Sequence, residues 1–255
     1  MAGFDRAFLH RIRQWLKAGM VDTEGPVVHP EPGTPHGGTG SPVRAHVYRH
    51  YALDLWLEKV VKPRCRGEAL WCRYADDWVC AVRLQADADR FFRVLPKRLG
   101  QFHLQVAPEK THLRRFSRLH PSKKRRFTFL GCAFFWRPDR HGVPRVRRRT
   151  ARKTLHAACQ RLTEWITQHR PLPGRAFFQR LNARLRGHYH DYGVRGNARS
   201  RNRFCHWAMH CTLQWLNRRG GKQSSYPWEP CTHVLDRGKI ARPHITEVPR
   251  RSVFV

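Results

Sequence analysis

The sequence has few acidic residues: 18 Asp and Glu stand against 50 Lys and Arg in 255 residues, a formal net charge of +32. It also contains no uncharged apolar run of about 18 residues, so a membrane-spanning helix is not predicted, and the charged N-terminal stretch argues against a secretory signal. The eight cysteines form no Cys-x-x-Cys pair, so a disulfide framework is not indicated. We therefore expect reduced thiols in a cytoplasmic protein with no membrane partner.

The positive charge is concentrated in the second half of the chain. Residues 1–113 hold 17 basic and 12 acidic residues, whereas residues 114–255 hold 33 basic and 6 acidic ones. Such an excess repels itself unless a polyanion is the normal partner, so we predict nucleic acid. Arginines interleaved with aromatic residues favour RNA, because both side chains stack on unpaired bases. The first candidate RNA contacts are Arg147, Arg148, Arg149 and Arg152.

The hydrophobic pattern predicts a mixed α+β region followed by a basic helical region. With 40% hydrophobic residues the chain has enough apolar material for a core. Glycine and proline crowd residues 25–42, which indicates a loop, and the chain after residue 220 is expected to be an irregular basic tail. The periodicity predicts helices at 4–16, 43–61 and 87–99, a strand at 102–106, and mainly helix beyond residue 152.

Two adjacent acids interrupt a stretch of alternating apolar residues. The alternation before Asp76 and after Asp77 predicts a β-hairpin with both acids at its tip. Carboxylate oxygens are the ligands that Mg²⁺ prefers, and two such ions can position a nucleoside triphosphate and a primer hydroxyl. The alternative is a polar turn that happens to contain Asp-Asp, since Asp is a common turn residue.

The residues around this pair resemble the active-site signature of reverse transcriptases, which has the form Tyr74-Ala75-Asp76-Asp77, here preceded by Arg73. Three more blocks are similar to that family and follow in the same order. They are Gly33-Thr34-Pro35-His36-Gly37-Gly38, Pro108-Glu109-Lys110-Thr111 and Phe129-Leu130-Gly131.

A later block resembles one branch of that family, the group II intron-encoded reverse transcriptases, which also act as maturases. It comprises Leu185-Arg186-Gly187-His188-Tyr189, Tyr192-Gly193-Val194 and Gly196-Asn197. The resemblance implies a partial right-hand polymerase palm over residues 1–146 and a basic helical thumb, or maturase domain, over 147–219. The irregular tail then covers residues 220–255.

The resemblance also implies roles for individual residues. Asp76 and Asp77 would be catalytic and would bind Mg²⁺, which Mn²⁺ could replace. Lys110 would lie beside the triphosphate, although an exposed lysine before a strand would look the same. The remaining positions are nucleotide- or template-binding residues Gly33, Thr34, Pro35, His36, Gly37, Gly38, Tyr74 and Ala75, and further RNA contacts Arg186, His188 and Tyr189, of which Tyr189 could equally be thumb packing.

The match to these proteins begins near residue 8, without the fingers blocks or the additional catalytic aspartate that such palms carry upstream. We therefore expect an N-terminally truncated reverse transcriptase, with a complementing fingers polypeptide as a possible partner. Its other implied partners are structured intron RNA, an RNA template and a DNA primer. The alternatives are a non-catalytic RNA-binding maturase and a degenerate gene remnant.

Overall fold

The computed structural model of the protein describes residues 6–17, 41–119, 125–218 and 239–247. The chain forms two compact units, residues 1–113 and 114–255. Helices and antiparallel strands are mixed along the chain, which confirms the α+β prediction. Within the described residues no helix has the length and apolar character needed to cross a bilayer. The predicted division at residues 146 and 219 stays a prediction.

The first unit is built from helices and one two-stranded hairpin. Residues 41–64 form one continuous helix whose middle contains two π-helical turns, His50–Asp54 and Leu57–Val61. Such wider turns occur often at functional sites. The regular elements are α1 (Arg6–Lys17), α2 (Ser41–Arg49), α3 (Lys62–Arg64), β1 (Ala69–Tyr74), β2 (Asp77–Val82) and α4 (Gln85–Gly100).

The core of this unit lies between the continuous helix, α4 and one face of the hairpin. Apolar residues at helical spacing give each helix one buried stripe, and burial of each such side chain stabilises the fold by about 1.5–3 kcal/mol. The buried residues are Leu53, Leu57, Phe91, Leu95 and Leu99, against which Trp56, Trp71, Trp78 and Cys80 pack.

The strand predicted at residues 102–106 is wrong, because this segment closes the end of α4 instead. The backbone N–H groups of Phe102 and Leu104 both donate to the carbonyl oxygen of Leu99, at 2.9 and 3.0 Å, and His103 between them has a φ of 51°. Leu104 and Val106 pack against the core from this irregular backbone. Their alternation therefore reflects packing of a loop and not strand pairing.

The second unit opens with a three-stranded antiparallel sheet in the order β3 (Phe127–Phe129), β4 (Cys132–Pro138), β5 (Pro144–Thr150). The turn between β3 and β4 consists of Leu130 and Gly131, both with positive φ (47° and 70°). This is the geometry that favours glycine. A Cβ atom at Gly131 would also lie only 2.7 Å from the Tyr192 hydroxyl, so the turn packs closely on the helices that follow.

Three helices complete this unit: α5 (Arg152–His169), α6 (Gly174–Tyr192) and α7 (Ala198–Asn217). Their buried faces include Leu162, Ile166, Leu181 and Leu185. Asn197, which is 1% exposed, joins three elements. Its amide donates to Thr150 Oγ1 (2.8 Å) and to the Tyr192 carbonyl oxygen (3.0 Å), and its Oδ1 accepts from the Thr150 N–H (3.0 Å).

Residues 239–247, the C-terminal strap, cross the helices in an irregular conformation. Buried Asn182 binds the strap backbone on both sides, donating to the Lys239 carbonyl oxygen and accepting from the Ala241 N–H. Buried Arg201 donates to the His244 carbonyl oxygen. The strap adds Ile240 to the hydrophobic core, so it is an integral part of the second unit.

Candidate active site and nucleic-acid interface

The two predicted catalytic acids lie at the tip of the hairpin formed by β1 and β2. Tyr74 pairs with Asp77, so the loop is only Ala75 and Asp76, and Ala75 has a φ of 52°. A positive φ in the first loop residue matches the mirrored turns of two-residue hairpins, although it strains an alanine. Asp77 shares the solvent-exposed face with Tyr74, and the Asp76 side chain is 76% exposed. Both carboxylates are therefore accessible to a ligand.

A buried ion pair that the sequence analysis missed anchors this hairpin. Arg73 is the core-facing neighbour of Tyr74, and its guanidinium makes two hydrogen bonds to the Asp54 carboxylate, at 2.7 and 2.5 Å. The side chains are only 6% and 11% exposed. Burial raises the pKa of Asp54, but the hydrogen bonds and charges of Arg73 and His50 outweigh it, so that pKa lies below its usual value. The Asp54 carboxylate and the Arg73 guanidinium therefore both stay charged at neutral pH.

The Arg73 guanidinium also binds the backbone of the turn between β1 and β2. Its Nη1 donates to the Ala75 carbonyl oxygen at 3.2 Å and lies 2.9 Å from His46 Nδ1. Arg73 thus connects Asp54, in the continuous helix, to the loop residue that precedes Asp76. A charged residue on the apolar stripe of a helix, as Asp54 is, was the signal that could have revealed this contact.

Arg49 forms an ion pair with one of the two acids. Its Nη1 lies 2.7 Å from Asp76 Oδ1, with the two side chains 29% and 76% exposed. Exposed pairs of this kind contribute little stability, so a cation can displace the arginine from Asp76. The structure gives Asp77 no such partner among the described residues.

The donor set at the tip suits Mg²⁺ in one respect. This ion often takes one or two carboxylates and completes its octahedron with water and substrate phosphates, and Asp76 and Asp77 supply two. Within the described residues, no group of three or more His, Cys, Asp or Glu side chains is assembled to hold a metal. The hairpin therefore exposes two carboxylates, and an ion bound to them would need further oxygen ligands, such as those of a nucleotide.

The structure describes some of the other predicted nucleotide contacts but not all of them. Tyr74 is 66% exposed beside Asp77, and Ala75 is exposed in the loop. Lys110 is exposed in a turn closed by hydrogen bonds from the N–H groups of residues 110 and 111 to the Ala107 carbonyl oxygen. The predicted nucleotide- or template-binding residues Gly33, Thr34, Pro35, His36, Gly37 and Gly38 lie outside the described residues.

The arginine run of β5 is divided between the two faces of its sheet. Arg147 and Arg149 are exposed on one face. Arg148 points to the other face, where it pairs with Glu247 of the C-terminal strap. Arg152 at the start of α5 and Arg186 on α6 are both exposed. Four of these five arginines are therefore exposed to solvent, whereas Arg148 forms an ion pair within the second unit.

Tyr189 is a core residue, which corrects the prediction that it contacts RNA. Its side chain is fully buried, at 0% exposure, and its ring packs edge-on against Phe204 and near His244. Helix α6 turns this position inward together with Leu185. The ring cannot stack on a base without opening the helical core.

His188 is half-buried and stacks on Phe204, with 3.7 Å between ring centroids. Burial lowers the pKa of His188 to about 4. The imidazole is therefore neutral at physiological pH and supplies no positive charge to a phosphate. The contact of His188 with RNA stays a prediction. Such a contact would involve a neutral and partly buried ring.

A comparison with protein families places part of the chain in a known family. The model of the family described as reverse transcriptase (RNA-dependent DNA polymerase) matches residues 4–134, slightly more than half of the chain. The matched range contains the hairpin, the Arg73–Asp54 ion pair and the turn at Gly131. No curated protein matches the sequence.

Proposed function

Because this chain belongs to the reverse transcriptase family, we propose that it is a reverse transcriptase of the group II intron type that also assists intron splicing as a maturase. Reverse transcriptases are RNA-directed DNA polymerases, so the reaction is nucleotidyl transfer to a primer on an RNA template. The observation that carries the proposal is the hairpin within the matched range, which presents Asp76 and Asp77 at an exposed tip. The intron-specific part is supported by the thumb-like block at Leu185 to Asn197.

In this proposal Asp76 and Asp77 hold Mg²⁺, or Mn²⁺ in its place. The ion would stabilise the charge that develops on the triphosphate and on the attacking primer hydroxyl. Arg73 and Asp54 position the hairpin without touching substrate, and Asp76 would exchange its ion pair with Arg49 for the metal ion. Lys110 is proposed to neutralise the departing pyrophosphate.

The partners that we propose are an RNA template, a DNA primer and structured intron RNA. A polypeptide that carries the family's fingers blocks is a further partner that we propose. The seven described cysteines are all free thiols, which suits a reducing cytoplasmic or nucleoid environment.

The test is primer extension on an RNA template with Mg²⁺, using the full chain alone and together with a fingers polypeptide. Asp76→Asn and Asp77→Asn should each lower extension at least about 100-fold, because each replaces a charged metal ligand by a neutral amide of the same shape. Asp191→Asn, on the exposed surface of α6, is the matched control and should retain full activity. Extension that survives Asp76→Asn would refute the role assigned to Asp76, and extension that is absent even with the fingers polypeptide would refute the polymerase assignment.

The second candidate is a maturase that does not polymerise. The charge of residues 114–255, 33 basic against 6 acidic residues, favours it, since RNA binding needs no catalytic acid. A splicing assay with the host intron distinguishes the two functions. Asp76→Asn would leave splicing unchanged if the maturase role is separate from polymerisation.

A further inference from the structure

One face of the β4–β5 hairpin carries exposed basic side chains and a single, half-buried aromatic ring. In the antiparallel register Phe135 lies opposite Arg147, Ala133 opposite Arg149 and Arg137 opposite Arg145. Because side chains alternate along a strand, these residues share one face, while Arg148 and Trp136 lie on the other. The arginine face is defined as Arg137, Arg145, Arg147 and Arg149 together with Phe135, all four arginines being exposed.

The arginine face is electrostatically unfavourable in the free protein. Arg137 and Arg145 are direct cross-strand partners, and like charges at such positions are destabilising. One acid relieves part of this repulsion, since Asp139 Oδ2 lies 3.1 Å from Arg145 Nε. The other three arginines have no ion pair among the described residues. A bound polyanion would relieve the repulsion that remains.

The spacing and the ring indicate which polyanion fits. Arg145, Arg147 and Arg149 recur every second residue, so their Cα atoms follow one another at about 6.6 Å along the strand. The Arg149 guanidinium lies 5.1 Å from the centroid of the Phe135 ring. A row of cations beside a stacked ring and guanidinium suits a strand whose bases are unpaired, because a duplex keeps its base faces covered.

We propose that the arginine face binds a single-stranded RNA segment, with phosphates along β5 and a base stacked at Phe135 beside Arg149. The inference rests on the proposed function in that RNA is the expected partner. It extends that function by assigning the RNA contact to one face of the sheet. Arg148, which has the same charge and lies on the same strand, is not part of this face.

The experiment measures binding of the full chain to a labelled single-stranded RNA and to a duplex RNA of the same length, at several salt concentrations. Arg147→Gln/Arg149→Gln should weaken single-strand binding about 10- to 100-fold and reduce the slope of log affinity against log salt by about 1.4, that is 0.7 for each phosphate lost. The control Arg175→Gln/Arg180→Gln removes the same charge from exposed positions of α6 and should change single-strand affinity less than about threefold.

Phe135→Leu provides a second arm that leaves the charge intact. It should weaken single-strand binding about tenfold, since stacking on one base is lost, with no change in duplex affinity or salt slope. Circular dichroism confirms that each variant is folded. The proposal is overturned if both double variants lose affinity equally, or if duplex and single strand are affected alike. Binding does not involve Asp76 or nucleotide addition, so this result and the extension result can fail independently.

Discussion

We predict that the hairpin formed by β1 and β2 depends strongly on the ion pair between Arg73 and Asp54. Arg73→Met removes both hydrogen bonds to the carboxylate and leaves Asp54, 8% exposed as a residue, with His50 Nδ1 at 3.3 Å as its remaining partner. The variant also frees the Ala75 carbonyl oxygen in the loop. We expect the hairpin to open far more readily.

The expected magnitude follows from the burial of both side chains. Removal of one partner of a buried ion pair destabilises a protein by about 3–5 kcal/mol, and in this variant the buried Asp54 carboxylate keeps only the longer contact with His50. Such a loss corresponds to a decrease of about 100- to 4,000-fold in the protection of the hairpin amides against exchange, at about 1.4 kcal/mol for each factor of ten. Replacing both partners, as in Arg73→Met/Asp54→Leu, should recover much of the loss.

Native-state hydrogen exchange of the β1 and β2 amides is the suitable assay, because a chain with two compact units need not unfold in one step. Lys62→Gln is the control, since it breaks an exposed pair with Glu58 and should alter exchange less than threefold. Because the pKa of Asp54 is lowered in the folded state, the stabilisation is present above its ordinary value of 3.8 and is lost as the pH falls through the lower folded value. A loss of protection under tenfold in Arg73→Met would refute the reasoning.

Two further predictions concern the second unit. The pKa of His188 is about 4 in the folded protein and 6.5 ordinarily. The free energy of unfolding should therefore decrease as the pH falls from 6.5 to 4, by up to about 1.4 kcal/mol per pH unit. Urea unfolding of His188→Phe should lack this decrease, and an equal pH dependence of the wild-type and variant proteins would contradict the prediction. A Cβ atom at Gly193 would overlap Thr246 Oγ1 and the Tyr189 carbonyl oxygen, so Gly193→Ala should release the C-terminal strap and speed tryptic cleavage after Lys239, which precedes Ile240, at least tenfold. Gly187→Ala, whose Cβ meets nothing within 4 Å, should not, and equal cleavage of the two variants would count against the predicted overlap.

Local pattern was sufficient to predict the hairpin. Alternating apolar residues around Asp76 and Asp77 predict both strands, because successive side chains of a strand point to opposite faces. The same rule was wrong at residues 102–106, where Leu104 and Val106 pack from a loop. Alternation alone does not reveal whether a strand has a partner to pair with.

Contacts between distant residues were not predictable in the same way. Asp54 and Arg73 are 19 residues apart, and only the fold brings their charges together. The run Arg147 to Arg149 looks uniform in sequence, but the register of β5 divides it between two faces. Tyr189 belongs to a block identified by family resemblance, and its burial shows that a recognisable motif can mark packing as readily as contact with a ligand.

The C-terminal strap has a consequence for the order in which the second unit is completed during synthesis. About 20 residues separate Asn217, where α7 ends, from Lys239, where the strap begins. At about 5–20 residues per second, the ribosome makes the three helices at least one to four seconds before the segment that covers them. During that interval Asn182 and Arg201 lack the backbone groups that they bind in the finished protein. A chaperone that arrives in this interval therefore meets the helices before the strap covers them, and synthesis of the strap ends that interval.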